Sequence, residues 1–153
     1  MSMNKRYLIL PNIRSCHNVG AMFRCADAFG VEKIYLVGYT PCPPKPQIDK
    51  VSLGAEQWVP WEYRKDLKRL IHSLKKKRTQ MVALEQSAYS VDIASFSMQT
   101  NHDIAIIVGN EVDGVPIDIL ALCDNVVHIP MQGKKESLNV SIAAGIALYA
   151  LRG

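Results

Sequence analysis

The last stretch of the chain, residues 139–151, reads Asn-Val-Ser-Ile-Ala-Ala-Gly-Ile-Ala-Leu-Tyr-Ala-Leu and is apolar on nearly every helical face. A helix of this kind must be buried on most sides. Its small residues, Ala143, Ala144, Gly145 and Ala147, permit close backbone approach. In 153 residues, room for one domain over 1–153, such burial requires packing inside the fold, against a second subunit, or both. With 48 % hydrophobic residues the chain can supply a core, and its 21 % charged residues argue against disorder.

Upstream, strand-like and helix-like patterns alternate. Residues 7–10 form a short apolar run ending at Pro11, and residues 17–29 carry Val19, Met22, Phe23, Ala26 and Phe29 at helical spacing. Asn18 is a candidate cap and Gly30 a stop. Residues 34–37 read as the next strand, which makes a βαβ unit with parallel strands. Four prolines make residues 38–50 a loop, followed by a helical turn over 51–56 and an extended piece over 58–61. A basic helix is predicted over 63–77, with Leu67, Leu70, Ile71 and Leu74 as its buried stripe. Strands follow at 81–84, at 104–108 (Ile-Ala-Ile-Ile-Val, suited to the centre of a parallel sheet) and at 126–129, with a helix over 116–122. The fold class is therefore α/β: an open, mostly parallel sheet with helices on both faces.

Charge is unevenly spread. Residues 64–78 hold eight basic side chains and one acid, a local +7, which leaves the rest of the chain at −3 against a total of +4. A concentrated basic face suits a polyanion, but by itself it fits somewhat better the solvated side of an amphipathic helix, which is common in proteins that bind nothing anionic. No apolar run reaches the ~20 residues of a membrane span. The first residues lack the pattern of a secretion signal, so no membrane association and a cytoplasmic location are expected. Cys16, Cys25, Cys42 and Cys123 show no C-x-x-C pair and no histidine at finger spacing, so reduced thiols and no metal are expected.

Ligands of open α/β sheets bind at the carboxyl ends of strands, where this chain has three polar, glycine-containing loops: 11–20, 109–115 and 130–139. In the first, Asn18 can orient a polar group and Arg24 can grip a phosphate with its planar fork. The second, Gly109-Asn110-Glu111-Val112-Asp113-Gly114, is neither a dinucleotide fingerprint nor a phosphate P-loop. In the third, Ser137 and Asn139 are natural caps of a helix whose free amides also suit a cofactor. Taken alone, the first loop is better accounted for by a cap and a surface arginine, and the second is accounted for equally well by a capped turn.

Taken in order, Asn18-Val19-Gly20-Ala21…Arg24…Ala26-Asp27-Ala28-Phe29-Gly30, Ser52-Leu53-Gly54-Ala55-Glu56, Val108-Gly109-Asn110-Glu111…Gly114 and Ile129-Pro130-Met131…Ser137-Leu138-Asn139-Val140-Ser141…Ala144-Gly145 resemble the SpoU/TrmH family of the SPOUT superfamily, RNA 2′-O-ribose methyltransferases. Cys25 stands where threonine or serine would be usual. The resemblance implies a deep C-terminal trefoil knot, a homodimer with its site at the subunit interface, and S-adenosylmethionine as cofactor, held by Gly109, Ile129, Met131, Leu138 and Asn139. It implies catalytic roles for Arg24, Asn18, Glu111, Ser137 and Asn139, with Glu111 orienting Arg24 or the ribose. The RNA would be tRNA in preference to rRNA, with Arg14, Lys45, Lys75, Lys76, Lys77, Arg78 and Lys134 as candidate contacts. A base-methylating SPOUT enzyme and an inactive RNA-binding protein are the alternatives; Arg24 and the Ser137–Asn139 motif weigh against both.

Overall fold

In a computed structural model that describes residues 4–99 and 101–152, seven strands form one sheet in the order β3-β2-β1-β6-β4-β7-β5. The strands are β1 (Arg6–Pro11), β2 (Lys33–Val37), β3 (Trp61–Arg64), β4 (Thr79–Leu84), β5 (Val91–Asp92), β6 (Asp103–Ile107) and β7 (Asn125–His128). Every pairing within it is parallel. Helices α1 (Cys16–Ala28), α2 (Pro46–Ser52), α3 (Leu67–Lys76), α4 (Ile117–Leu120) and α5 (Val140–Ala150) join them, with short 3-10 turns at Ala55–Gln57 and Ile93–Ser95.

Parallel strands are buried on both faces, and β1 shows how. Leu8 and Leu10 face a core shared with Phe23 of α1 and Ala144 and Leu148 of α5. Ile9 faces the opposite core, closed by Leu70, Ile71 and Leu74 of α3 and Ile119 of α4. Helices therefore cover both faces, as the alternation of patterns requires.

Several boundaries differ from the sequence reading for local reasons. The cap of α1 is Ser15, whose Oγ accepts from Asn18 N at 3.1 Å; Asn18 lies inside the helix with its side chain free for another task. Pro46 starts α2 inside the expected loop, because a missing N–H costs nothing in a first helical turn. Trp61–Arg64 pairs with β2, so the basic helix begins only at Leu67, capped by Asp66 accepting from Arg69 N at 3.2 Å. The two-residue strand β5 gave no sequence signal.

The largest difference is at α5. Within the chain, Ser141, Ala144, Ala147 and Leu148 are buried against α1, while Ile142, Ile146 and Tyr149 are 55 %, 40 % and 53 % exposed. Packing inside one chain covers a single face of this helix, not its whole circumference. Among the described residues, no helix is long and apolar enough to cross a membrane.

Candidate active site

All strands point the same way, so the segments leaving β1, β4, β6 and β7 emerge at one edge of the sheet. There they enclose a cavity of about 620 Å³, within the size range of small-molecule sites. Its wall includes Gly109, Ile129, Met131, Leu138 and Asn139, the five residues expected to hold a cofactor, together with Asn18, Glu111 and Ser137.

The wall from β6 is a tight turn. Asn110 and Gly114 form an antiparallel bridge, with Asn110 N donating to Gly114 O at 3.2 Å and Gly114 N to Asn110 O at 3.0 Å. Asn110 Oδ1 accepts from Val112 N at 2.8 Å and Asp113 N at 3.0 Å, closing the turn from within. A Cβ on Gly109 would lie 2.7 Å from Gly114 Cα, and Gly114 has φ +68°; both glycines are requirements of this geometry.

That turn presents Glu111 to the start of α1. Its carboxylate accepts from Arg14 N at 2.8 Å, Ser15 N at 2.9 Å and Asn18 Nδ2 at 3.0 Å. Burial opposes the charge on Glu111, but the bonds from Arg14 N, Asn18 and Ser15 N outweigh it, and the carboxyl sits below its ordinary range. Asn18 relays the arrangement: its Oδ1 accepts from Asn139 Nδ2 at 3.1 Å. Asn139 Oδ1 accepts from Ser141 N at 2.9 Å and Ser141 Oγ at 2.5 Å, capping α5. Glu111, Asn18 and Asn139 thus form one chain of hydrogen bonds joining three segments distant in sequence.

Arg24 stands apart. It is exposed on α1 and makes no hydrogen bond or ion pair among the described residues. Glu111 is expected to orient Arg24 or the ribose; within one chain its carboxylate is committed to the α1 terminus and makes no contact with Arg24. The expected RNA contacts divide. Arg14, Lys45 and Lys134 are exposed in segments that follow β1, β2 and β7, on the cavity's edge of the sheet. Lys75, Lys76, Lys77 and Arg78 lie where α3 runs into the start of β4, at the opposite edge, and Lys75 Nζ donates to Leu122 O at 2.8 Å.

Sequence reading missed the wall supplied by β4. Glu85 and Gln86 line the cavity; Glu85 accepts from Val115 N at 2.7 Å, and Gln86 Nε2 donates to Ile129 O at 3.2 Å. Their only signal is position directly after a strand, without the glycines that marked the other loops. His128 also lines the cavity, its Nδ1 2.8 Å from Ser90 Oγ.

The model of the SpoU rRNA Methylase family matches residues 5–149. The 23S rRNA (guanosine-2'-O-)-methyltransferase RlmB of Coxiella burnetii is 35 % identical over 150 residues, which cover 95 % of this chain and 57 % of that protein. An AdoMet-bound rRNA methyltransferase from Sinorhizobium meliloti superposes with a TM-score of 0.91 at 28 % identity, over 99 % of this chain and 57 % of the other. The A. aeolicus TrmH/SpoU tRNA modifying enzyme gives 0.86 at 29 % identity, over 98 % and 75 %. The chain therefore spans little more than half the length of the curated relatives it matches.

Proposed function

The chain belongs to the SpoU rRNA methylase family, and on that premise we propose that it transfers the methyl group of S-adenosylmethionine to a ribose 2′-hydroxyl of RNA. The observation that carries the reading is that a single cavity collects all five expected cofactor residues beside Asn18, Glu111 and Ser137.

The residues present fit such a cofactor. Ile129, Met131 and Leu138 offer apolar walls, Gly109 lets backbone come close, and Asn139 adds a polar edge. When bound, S-adenosylmethionine supplies a methyl group activated by its sulfonium charge, so the hard chemistry comes with the cofactor. The protein's share is placement and charge. Asn18 and Asn139, fixed by Glu111, present amide edges to a ribose or phosphate, and exposed Ser137 presents a hydroxyl. Arg24 remains protonated in any protein, so its work is to hold a phosphate and stabilise charge developing on the attacking oxygen, not to take the proton.

Since Arg24 reaches no site residue of its own chain, the reading places it beside the cavity of a second copy. Ile142, Ile146 and Tyr149, the open face of α5, are the apolar surface on which two copies would pair. The trefoil knot belongs to the same reading. Glu85 N donating to Val127 O, Gln86 to Ile129 O and Val115 N to Glu85 hold the segments after β4, β6 and β7 against one another, in the region where that knot would lie. The relatives carry enzymes of rRNA and of tRNA; the expected preference for tRNA gains no support from the 23S rRNA enzyme, and both RNAs are substrates to test.

The test is methylation of rRNA and tRNA from cells lacking the protein, with nucleosides identified by mass spectrometry. A 2′-O-methylated nucleoside is expected. A methylated base overturns the reading. Arg24→Ala is expected to lower turnover by at least about 100-fold, the scale of losing one charge-stabilising group, with S-adenosylmethionine binding retained. Wild-type turnover in that variant removes Arg24 from the mechanism.

A further inference from the structure

We propose that the RNA strand flanking the target nucleotide lies on a track from Tyr39 into the groove between α3 and α4, one base stacked on Tyr39 and the phosphates against Lys65 and Arg69. The proposal rests on the RNA-methylating reading above and assigns its substrate surface.

The track begins at the wall of the cavity. Asn110, in that wall, donates through Nδ2 to Asn12 O at 2.5 Å and to the Tyr39 hydroxyl at 3.0 Å. Tyr39 N in turn donates to Asn12 Oδ1 at 3.1 Å. The tyrosine is thus held at both ends, yet 61 % of it is exposed. An aromatic ring that is fixed and solvent-facing loses little freedom when a base stacks on it, and stacking on such rings is how single-stranded nucleic acid is commonly gripped.

The next residue back continues the line: Gly38 N donates to Arg64 O at 3.1 Å. Arg64 opens a second groove, of about 790 Å³, lined also by Asn12, Lys65, Lys68, Arg69 and Asp118. Its cations are not equivalent. Arg64 is bound to Glu62, and Lys68 pairs with Asp118 at 2.9 Å. Asp66 is spent on capping α3, and its carboxylate is 3.9 Å from an Arg69 side chain that is 90 % exposed. Lys65 is exposed and without an ion-pair or hydrogen-bond partner among the described residues. One unpaired cation, Lys65, and a second, Arg69, held only in a long and solvent-exposed ion pair with Asp66, therefore stand near a fixed aromatic face, which in turn borders the cavity.

Topology separates these cations from the rest of the basic stretch. In a parallel sheet a helix leaves its strand at the carboxyl edge and returns to the amino edge. Arg64–Arg69 therefore stands at the cavity's edge. Lys75–Arg78 sits about one helix length, roughly 15 Å, further away. The electrostatic work assigned by charge density alone to Lys75, Lys76, Lys77 and Arg78 belongs on this account to Lys65 and Arg69.

The test follows a fluorescein-labelled single-stranded RNA of mixed sequence by anisotropy, with the full chain, between about 50 and 200 mM salt. Tyr39→Ala is expected to weaken binding about tenfold, while Tyr39→Phe keeps most of the affinity. The double variant Lys65→Ala/Arg69→Ala should reduce the slope of log K against log salt by roughly 1.4, and Lys76→Ala/Lys77→Ala should leave it unchanged. Binding of S-adenosylmethionine, measured by calorimetry, should be the same in all. A wild-type protein that methylates RNA while the Tyr39 and Lys65/Arg69 variants keep its affinity and slope overturns the track alone. So does equal loss in Tyr39→Ala and Tyr39→Phe, or a slope carried by Lys76 and Lys77. A wild type that neither binds nor methylates RNA overturns the reading beneath it as well.

Discussion

Glu111 is the residue on which the geometry of the site converges. Replacing it with glutamine keeps one acceptor and removes the charge that draws Arg14 N, Ser15 N and Asn18 together. The folded carboxyl is depressed below its unfolded value, so its contribution is full above about pH 4.3 and is lost as pH falls through the folded value. Glu111→Gln is expected to lower stability by about 1 kcal/mol at pH 7, a modest figure because the group is largely solvated. Urea titrations at pH 7 and pH 3 should show the gap to wild type closing at the lower pH; a constant gap would mean that the charge is not what matters. Most residues of this network were legible in the sequence because they sit in glycine-marked loops after strands. What each does was not. Asn18 reads as a cap by composition, but the cap is Ser15, three residues earlier, and Asn18 is freed to join Glu111 to Asn139.

At the scale of elements, α1 and α2 approach each other closely. A Cβ on Gly20 would lie 2.6 Å from Ile48 O, a backbone atom that can yield only by moving α2. Gly20→Ala is expected to cost about 1–3 kcal/mol, the usual penalty of overpacking, read from the denaturation midpoint. An unchanged midpoint would show that α2 is free to shift. Strand and helix order were readable because each core strand is a continuous apolar run and each helix has its own spacing. Edges were harder: β3 pairs on one side only and carries Glu62 and Arg64, so its composition reads as the start of a helix, and β5 is too short to have a pattern. The helical period of 64–78 was visible, but the direction in which that helix runs relative to the sheet edge depends on β3, and so did the meaning of its charges.

For the molecule as a whole, the open face of α5 and the isolation of Arg24 make one prediction. If each cavity borrows the arginine of a neighbour, Arg24→Ala and Asn139→Ala proteins are each nearly inactive alone, and mixing them after exchange of subunits restores part of the activity, because one mixed site is intact. Absence of any recovery, with exchange shown by sedimentation of tagged copies, would mean that each chain uses its own arginine. The apolar helix signalled from the sequence that something must cover it; only the structure shows that α1 covers one face and leaves Ile142, Ile146 and Tyr149 for another surface.

Arg6, at the start of β1, donates to Phe29 O and, at 3.3 Å, to Leu148 O, pinning the final turn of α5 beside the first strand. Both described ends of the chain therefore come out together on the side of the sheet facing away from the cavity. The pairing of Arg6 with the last turn of α5 thus ties the first strand to the final helix on the side opposite the cavity. That tie leaves the mouth of the cavity, at the other edge of the sheet, free of both the first strand's start and the last helix's end.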